Sequence, residues 1–399
     1  MGPVLRRRKK TALALDNDGV LPADVLYEVL LRLPADELCR LRLVCRSWRS
    51  LTSDPGFARA HASRHPLLAG VHIACCTDDE IRVVDLFSGD IVRRIVPTVQ
   101  PRYGMNSQLD LVCVSGRRTH EPSSVLNLAT GEVVATFHPK SHWINKDMMS
   151  PFLLGHIPST GELKVFYTHW CGEGGGHGGF VQKCCIKTLI GDGSSRRWRV
   201  TSSPLAVLGS DLRDRVVIGG VAYILFSQNF NETNDHNEDL EPDDMAVFDM
   251  AAEEWRPAPL RGPLSSCLAG DDERCVHHQH RHEILLAMVD DCLVTVHNND
   301  CYQYCSMDLW FLVDMDVDKG LWTKRFSIHC TTLCKGFKCH SPYPLLLLDD
   351  GRIVIWEDVI KVLRVYDPRT SKWDDITTLE NYFSVNMYRG NLLCPGLQR

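Results

Sequence analysis

One short unit recurs along most of this chain: an apolar strand ending in Asp or Asn, a tight turn, then a second strand. Its copies centre on Asp85, Asn127, Asp249, Asp314 and Asp367, with a degenerate copy near residue 188. Val133 or a tryptophan (Trp198, Trp255, Trp322, Trp373) opens or enters the return strand in five of them. An Asp or Asn at a strand end can accept hydrogen bonds from the turn backbone. Glycines such as Gly89 and Gly131 then supply the positive φ that closes a tight turn. The unit therefore reads as a β-hairpin, with the aromatic packing back between neighbouring sheets.

The anchors lie roughly 40 to 65 residues apart, about the period of propeller blades. A second apolar strand pair precedes several hairpins, at 153–157 with 163–167, 216–226, 284–289 with 292–296, and 345–348 with 352–356. Each pair supplies the inner strands of a four-stranded blade. A single blade cannot bury both faces, so copies must stack, and a closed ring protects most edges. Residues 67–399 are thus expected to form a β-propeller of about six blades. A β-sandwich or a less regular all-β domain is the alternative that the spacing leaves open.

The first 60 residues follow another rule. Leu26, Leu30 and Leu33 are spaced i, i+4, i+7 and share a helix face. Pro22 suits a first helical turn and Asp24 its dipole end. Pro34 ends the helix, because the residue before a proline is pushed out of the α region. Leu38, Leu41, Val44, Cys45 and Trp48 predict a second helix, with Arg40, Arg42, Arg46 and Arg49 between them as a basic face. Ser53-Asp54-Pro55-Gly56 reads as a closing turn. So short a module buries such a set of apolar residues poorly on its own. The excess points to a partner that covers it.

In their order, Leu21-Pro22 with Asp24, Glu28-Val29-Leu30, Arg32-Leu33-Pro34, Leu38, Leu41, Val44-Cys45-Arg46-Ser47-Trp48, Leu51 and Asp54-Pro55-Gly56-Phe57 resemble the F-box. Residues 159–166 and the closing Val365-Tyr366-Asp367-Pro368 resemble the kelch-like associated domains that follow many plant F-boxes. The first resemblance implies docking on a Skp-type adaptor, which joins a cullin scaffold, through Leu21, Pro22, Leu26, Leu30, Leu33, Pro34, Leu38 and Leu41. Val44, Cys45, Trp48 and Leu51 are shared between docking and holding the helices together. The expected architecture is α+β and multidomain: a basic disordered tail at 1–17, an all-α F-box module at 18–62, and the all-β domain from 67.

With 399 residues, 44% hydrophobic and 24% charged, the chain is ordinary for a soluble globular protein. A net charge of -6 argues against a general nucleic-acid binder. No apolar run reaches the roughly 18 residues of a membrane span, so no membrane partner is expected. The Arg6–Lys10 run lacks the apolar continuation of a secretory signal. Most of the 17 cysteines sit in strand-like apolar runs and read as reduced core residues. The expected location is intracellular, in cytoplasm, nucleus or both.

Three tracts carry residue types suited to ligands. The glycine-rich 171–180 lacks the Gly-Lys-Ser/Thr of a phosphate-binding loop. His277, His278, His280 and His282 form a dense tract that could reach a zinc ion but reads as ordinary loop composition, and Cys330, Cys334, Cys339 and His340 form another whose spacing no common zinc module uses. No metal, cofactor or catalytic residue is therefore assigned. The resemblance implies a non-catalytic receptor of an SCF-type (Skp-cullin-F-box) ubiquitin ligase, holding a target protein whose identity is unknown. The alternatives are a non-degradative scaffold and, third, an enzyme with a site in the propeller channel.

Overall fold

The computed structural model describes residues 22–33, 35–73, 79–98, 106–108, 110–115, 121–139, 150–172, 180–191, 197–204, 206–227, 240–264, 281–301, 304–314, 320–330 and 342–388. The chain divides into a helical unit that ends at Pro66 and a strand unit, Leu67–Gly390.

The helical unit holds α1 (Ala23–Leu30), α2 (Ala35–Leu41), α3 (Arg46–Thr52) and α4 (Pro55–Arg64). Two local readings change here. The pattern from Leu38 to Trp48 is split between α2 and α3, because Cys45 adopts an extended backbone (φ -155°, ψ 166°) and restarts the helix. The Asp54-Pro55 signal opens α4 instead of closing the module. Asp54 Oδ1 accepts from the Gly56 and Phe57 N–H groups at 2.8 and 3.0 Å, and Pro55 occupies the first helical turn. An Asp-Pro pair suits a helix start as well as a turn, since both use the same free N–H groups.

Leu26, Leu30, Leu31, Leu38 and Phe57 form the core of this unit, with Tyr27, Leu33, Leu41, Trp48, Leu51 and Ala60 packed around it. His61 on α4 and His65 just past its end bring Nε2 to within 2.8 Å of the Leu33 carbonyl and 3.1 Å of the Leu31 carbonyl. These bonds satisfy carbonyls in the turn that follows α1, which have no helical partner.

The strand unit contains six four-stranded antiparallel sheets. Blade 1 comprises β1 (Leu67–His72), β2 (Glu80–Asp85) and β3 (Ile91–Ile95), with the C-terminal β24 (Tyr382–Tyr388) as its innermost strand. Blade 2 follows as β4 (Asn106–Gln108), β5 (Leu111–Val114), β6 (Ser123–Asn127) and β7 (Val133–Phe137). Blade 3 is β8 (Leu153–His156), β9 (Leu163–Gly172), β10 (Phe180–Ile190) and β11 (Arg199–Thr201). Blade 4 is the smallest: β12 (Arg215–Ile218), β13 (Val221–Leu225), β14 (Met245–Asp249) and β15 (Glu254–Trp255). Blade 5 has long strands, β16 (Arg281–Val289), β17 (Cys292–Cys301), β18 (Tyr304–Asp314) and β19 (Leu321–Cys330). Blade 6 comprises β20 (Tyr343–Leu347), β21 (Ile353–Glu357), β22 (Val362–Asp367) and β23 (Lys372–Thr378).

The innermost strands β24, β4, β8, β12, β16 and β20 neighbour one another in a closed ring. This is a six-bladed propeller. Residues from both ends of the strand unit share blade 1, where Leu67–Val71 pair with Ser384–Tyr388. Backbone hydrogen bonds within blade 1 therefore join the first and last strands of the ring.

The repeated hairpin is the outer half of each blade. Asp85 Oδ1 accepts from the N–H groups of Phe87 and Ser88, Asn127 Oδ1 from those of Ala129 and Thr130, and Asp249 Oδ1 from those of Ala251 and Ala252. The turn then closes at a positive φ, with Gly89 at +74° and Gly131 at +80°; Glu253 takes the same role at 61°. The degenerate copy differs: β10 runs on through residue 188 to Ile190.

The recurring tryptophans tie blades together. Trp198 Nε1 donates to the His138 carbonyl at 2.7 Å, Trp255 Nε1 to the Ser202 carbonyl at 2.7 Å, and Trp322 Nε1 to the Arg261 carbonyl at 2.9 Å. In each case the acceptor lies in the segment that leaves the outermost strand of the preceding blade. The rings fill the seam: Trp255 lies 4.7 Å from Phe248 of its own blade and 5.9 Å from Phe166 of the one before. Trp255→Phe keeps most of the ring but orphans the Ser202 carbonyl. It is expected to lower the stability of the strand unit by about 1 kcal/mol in urea unfolding.

Candidate partner-binding site

The structure sorts the residues of the first helices by exposure. Leu26, Leu30 and Leu38 lie inside the helical unit, with Leu30 1% and Leu38 0% exposed. Leu33, Leu41, Trp48 and Leu51 pack at the rim of that core and are part-buried. Pro22 and Cys45 are exposed. Leu21 and Pro34 lie outside the described residues. The apolar side chains left open are Val25 and Val29 on α1, with Leu43 and Val44 in the turn between α2 and α3. Leu43 is 87% and Val44 62% exposed, an unusual state for adjacent apolar residues. Arg46 and Arg49 are also exposed on α3.

Sequence reasoning missed Val25, Val29 and Leu43. The signal was present, since Val25 and Val29 stand i, i+4 on α1 and precede the buried Leu26 and Leu30 by one residue each. A second apolar stripe beside the core stripe marks a helix that is apolar over more than the face its own module covers.

On the strand unit, antiparallel order sets where the connections emerge. The short turns, such as 86–90, 128–132, 219–220, 250–253 and 290–291, join strand ends at one end of the blades. The long connections, 96–105, 138–152, 202–214, 226–244, 256–280 and 331–342, all join strand ends at the other. That second end is the loop end. The glycine-rich tract, the histidine tract and the cysteine tract connect strands there as well. Their backbone is described only where it enters β9, β10, β16 and β19; residues 173–179, 265–280 and 331–341 lie outside the described residues. Among the described residues, no three His, Cys, Asp or Glu side chains gather as a metal site. No described helix is long and apolar enough to cross a membrane.

Buried polar groups concentrate at the loop end of blade 4. Asp211 opens a short 3-10 turn at Leu212–Asp214; its carboxylate accepts from the Arg213 N–H, and Asp214 Oδ2 accepts from the Asp211 N–H. Burial pushes the Asp214 carboxyl up to about 6, against the lowering effect of that hydrogen bond. Burial likewise pushes Asp243 up to about 6. Arg215, 3% exposed, donates to the Gly209 carbonyl, while its Nε and Nη1 have no hydrogen-bond partner.

The raised Asp214 pKa has a definite sign. An unfolded aspartate titrates near 3.9. Below that pH both states carry a neutral carboxyl; between about 3.9 and 6 the unfolded state ionises first, so stability falls as pH rises and the loss is complete above about 6. Asp214→Asn keeps an acceptor for the Asp211 N–H and removes the penalty. It should raise stability at pH 8 by on the order of 1–3 kcal/mol and flatten the change between about pH 4 and 6. Thermal unfolding of both proteins across that range is the check.

The F-box domain family profile matches residues 20–59, which include α1, α2, α3 and the start of α4. F-box protein At3g07870 of Arabidopsis thaliana is 23% identical over 436 aligned positions, covering 96% of each chain. F-box/kelch-repeat protein At3g23880 of the same plant is 52% identical over 42 residues, 10% of this chain and 12% of that one. Putative F-box protein At3g16210, also from Arabidopsis thaliana, is 41% identical over 46 residues, 12% and 13% of the two chains. Residues 20–59 thus match the F-box domain, and a six-bladed β-propeller follows them in the chain.

Proposed function

We propose that the protein is the substrate-recognition subunit of an SCF-type ubiquitin ligase. The F-box docks on a Skp-type adaptor and, through it, on a cullin; the propeller holds a target protein. The observation that carries this reading is the F-box match on a helical unit whose Val25, Val29, Leu43 and Val44 face outward. Leu26, Leu30 and Leu38 support docking from beneath by holding these helices in place. The reaction needs no catalytic residue in this chain. Tethering a target beside a ubiquitin-conjugating enzyme raises the effective concentration of its lysines, and that proximity is the chemistry the receptor contributes. Such a receptor works in the cytoplasm or nucleus.

The test is capture of the full chain with a purified Skp-type adaptor and cullin, followed by identification of bound proteins under proteasome inhibition. Co-elution with the adaptor, together with a bound protein whose half-life lengthens when docking is lost, supports the reading. Failure to bind any Skp-type adaptor overturns it. Adaptor binding with only long-lived partners replaces degradation by a scaffold role.

A further inference from the structure

The six blades end outward on β3, β7, β11, β15, β19 and β23. A strand with no neighbour on one side presents a row of unpaired N–H and C=O groups, and proteins blunt such edges with charged side chains or proline. β3 carries Arg93 and Arg94, β11 Arg199, β15 Glu254, β19 Lys324 and Arg325, and β23 Lys372, Asp374 and Asp375. Among these described strands β7 alone has neither a charge nor a proline: it reads Val133-Val134-Ala135-Thr136-Phe137. Its valines are open, with Val133 42% and Val134 36% exposed. β-branched residues favour strand pairing, so this edge is suited to pairing and nothing on it opposes a further strand.

A cavity of about 510 Å³ lies against the same edge. It is lined by residues 134–136 of β7, by Thr160 and Gly161 in the turn between β8 and β9, and by residues 187–191 at the end of β10. Its volume is that of an ordinary ligand site, about 300–1,000 Å³. Val134, Thr136, Thr160, Gly161 and Ile190 are exposed, so the groove opens to solvent. Ala135 and Leu189 form its floor, where they pack into the core shared by blades 2 and 3. The β10 wall is held from behind. Thr188 Oγ1 accepts from Arg199 Nη2 at 3.1 Å, and Arg199 Nε and Lys164 Nζ both donate to Glu253 of blade 4, at 2.7 and 3.0 Å. A groove formed before binding costs its ligand less than one that must be shaped by it.

The charge on the groove is positive. Lys187 is the charged residue of the lining. Cys185 packs in the same core as Ala135 and Leu189, and strand residues two apart share a face. Lys183 and Lys187, on either side of Cys185, therefore both stand on the face of β10 turned toward blade 2. Lys187 Nζ lies 5.8 Å from the Trp198 ring centre, a contact that orients its ammonium. Glu162, whose side chain lies against Gly191, is paired with Lys164 at 3.5 Å. A basic lining on a chain of net charge -6 selects acidic groups locally and not over the whole surface.

We propose that the groove between blades 2 and 3 binds an extended acidic segment of the target protein, which adds to β7 as a fifth strand. The main chain of that segment pairs with the free edge of β7, and a carboxylate on one of its alternate residues meets Lys187. This inference rests on the reading of the propeller as the target-holding unit.

The probes are fluorescein-labelled octapeptides of alternating Thr-Glu, Thr-Gln and Thr-Lys, titrated with the full chain at physiological ionic strength and read by anisotropy. The Thr-Glu peptide should bind at least about tenfold more tightly than the Thr-Lys peptide, with Thr-Gln between them. Hydrogen exchange on the Thr-Glu complex should show slowed amides within Val133–Phe137 and none in β23. Lys187→Glu should weaken Thr-Glu binding about tenfold at an unchanged thermal midpoint, and Lys187→Arg should retain it. Lys372→Glu, which reverses an exposed cation on β23, should leave it unchanged. Absent binding of the Thr-Glu peptide, unslowed exchange in β7, equal losses for Lys187→Glu and Lys372→Glu, or losses only in proportion to a lowered midpoint overturn the groove. Adaptor capture on the same preparations reports the F-box role separately: it survives if only the groove assignment is wrong.

Discussion

The double variant Val29→Glu, Leu43→Glu is expected to abolish capture of a Skp-type adaptor while leaving the helical unit folded. Val29 is 45% and Leu43 87% exposed, so a glutamate at either site stays solvated in the free protein. Surface substitutions of this kind change stability by about 0.5 kcal/mol or less. In the complex the same carboxylates would enter an apolar interface without partners. Each costs several kcal/mol there, and together they should weaken affinity at least about a hundredfold. Pull-down and far-ultraviolet circular dichroism on the same samples decide the matter. Retained adaptor binding would place docking on another face. The contrast is Leu30→Asp, which also abolishes binding but through the core: Leu30 packs with Leu26, Leu38 and Phe57, and a carboxylate there unfolds the unit. Only the exposed pair separates docking from folding.

The second large effect concerns ring closure. A chain that stops at Thr378 loses β24 and with it the pairing of Leu67–Val71 to Ser384–Tyr388. It also removes Tyr382 and Val385 from a core shared with Leu68, Leu345, Val354 and Trp356. The Tyr388 hydroxyl, which donates to Asp110 Oδ1 at 2.6 Å across to blade 2, is lost as well. The deletion leaves β1 as an open edge and exposes the inner flanks of blades 1, 2 and 6. Losses of about 2–4 kcal/mol for each buried aromatic or valine side chain sum to most of the stability of a typical domain. Such a chain should aggregate on expression, because an unpaired inner strand invites pairing with another molecule. Soluble, cooperatively unfolding protein lacking β24 would show that the ring does not depend on this closure.

Much of this architecture is legible in the sequence, for a local reason. Asp85, Asn127 and Asp249 make turn hydrogen bonds within three residues of themselves, so the hairpins are written in short segments. The apolar runs before them are long enough to reveal inner strands. The reading fails locally where one signal serves two structures. Asp54-Pro55 opens a helix as readily as it makes a turn, and only the packing of Phe57 against Tyr27, with ring centres 5.2 Å apart, selects the helix.

The partner-binding face is harder to read, because apolar periodicity does not distinguish a side chain that holds a module together from one that waits for a partner. Leu30 and Val29 are neighbours of similar chemistry, one inside and the other out. The rotation of α1 against α4 decides which is which, through contacts such as the ion pair of Glu28 with Arg64 at 2.9 Å. The buried polar atoms without a hydrogen-bond partner are likewise invisible in any single segment, since they come from residues as distant as Asp243 and Asp308.

By itself, then, the sequence determined the elements, their repetition and the F-box signature, because each depends on residues within a few positions of one another. The tertiary structure alone decided which leucines and valines remain open, how β24 completes blade 1, and where unsatisfied polar atoms collect. Those outcomes depend on surfaces meeting across tens to hundreds of residues, where burial and pairing are fixed only once the helices pack and the ring closes.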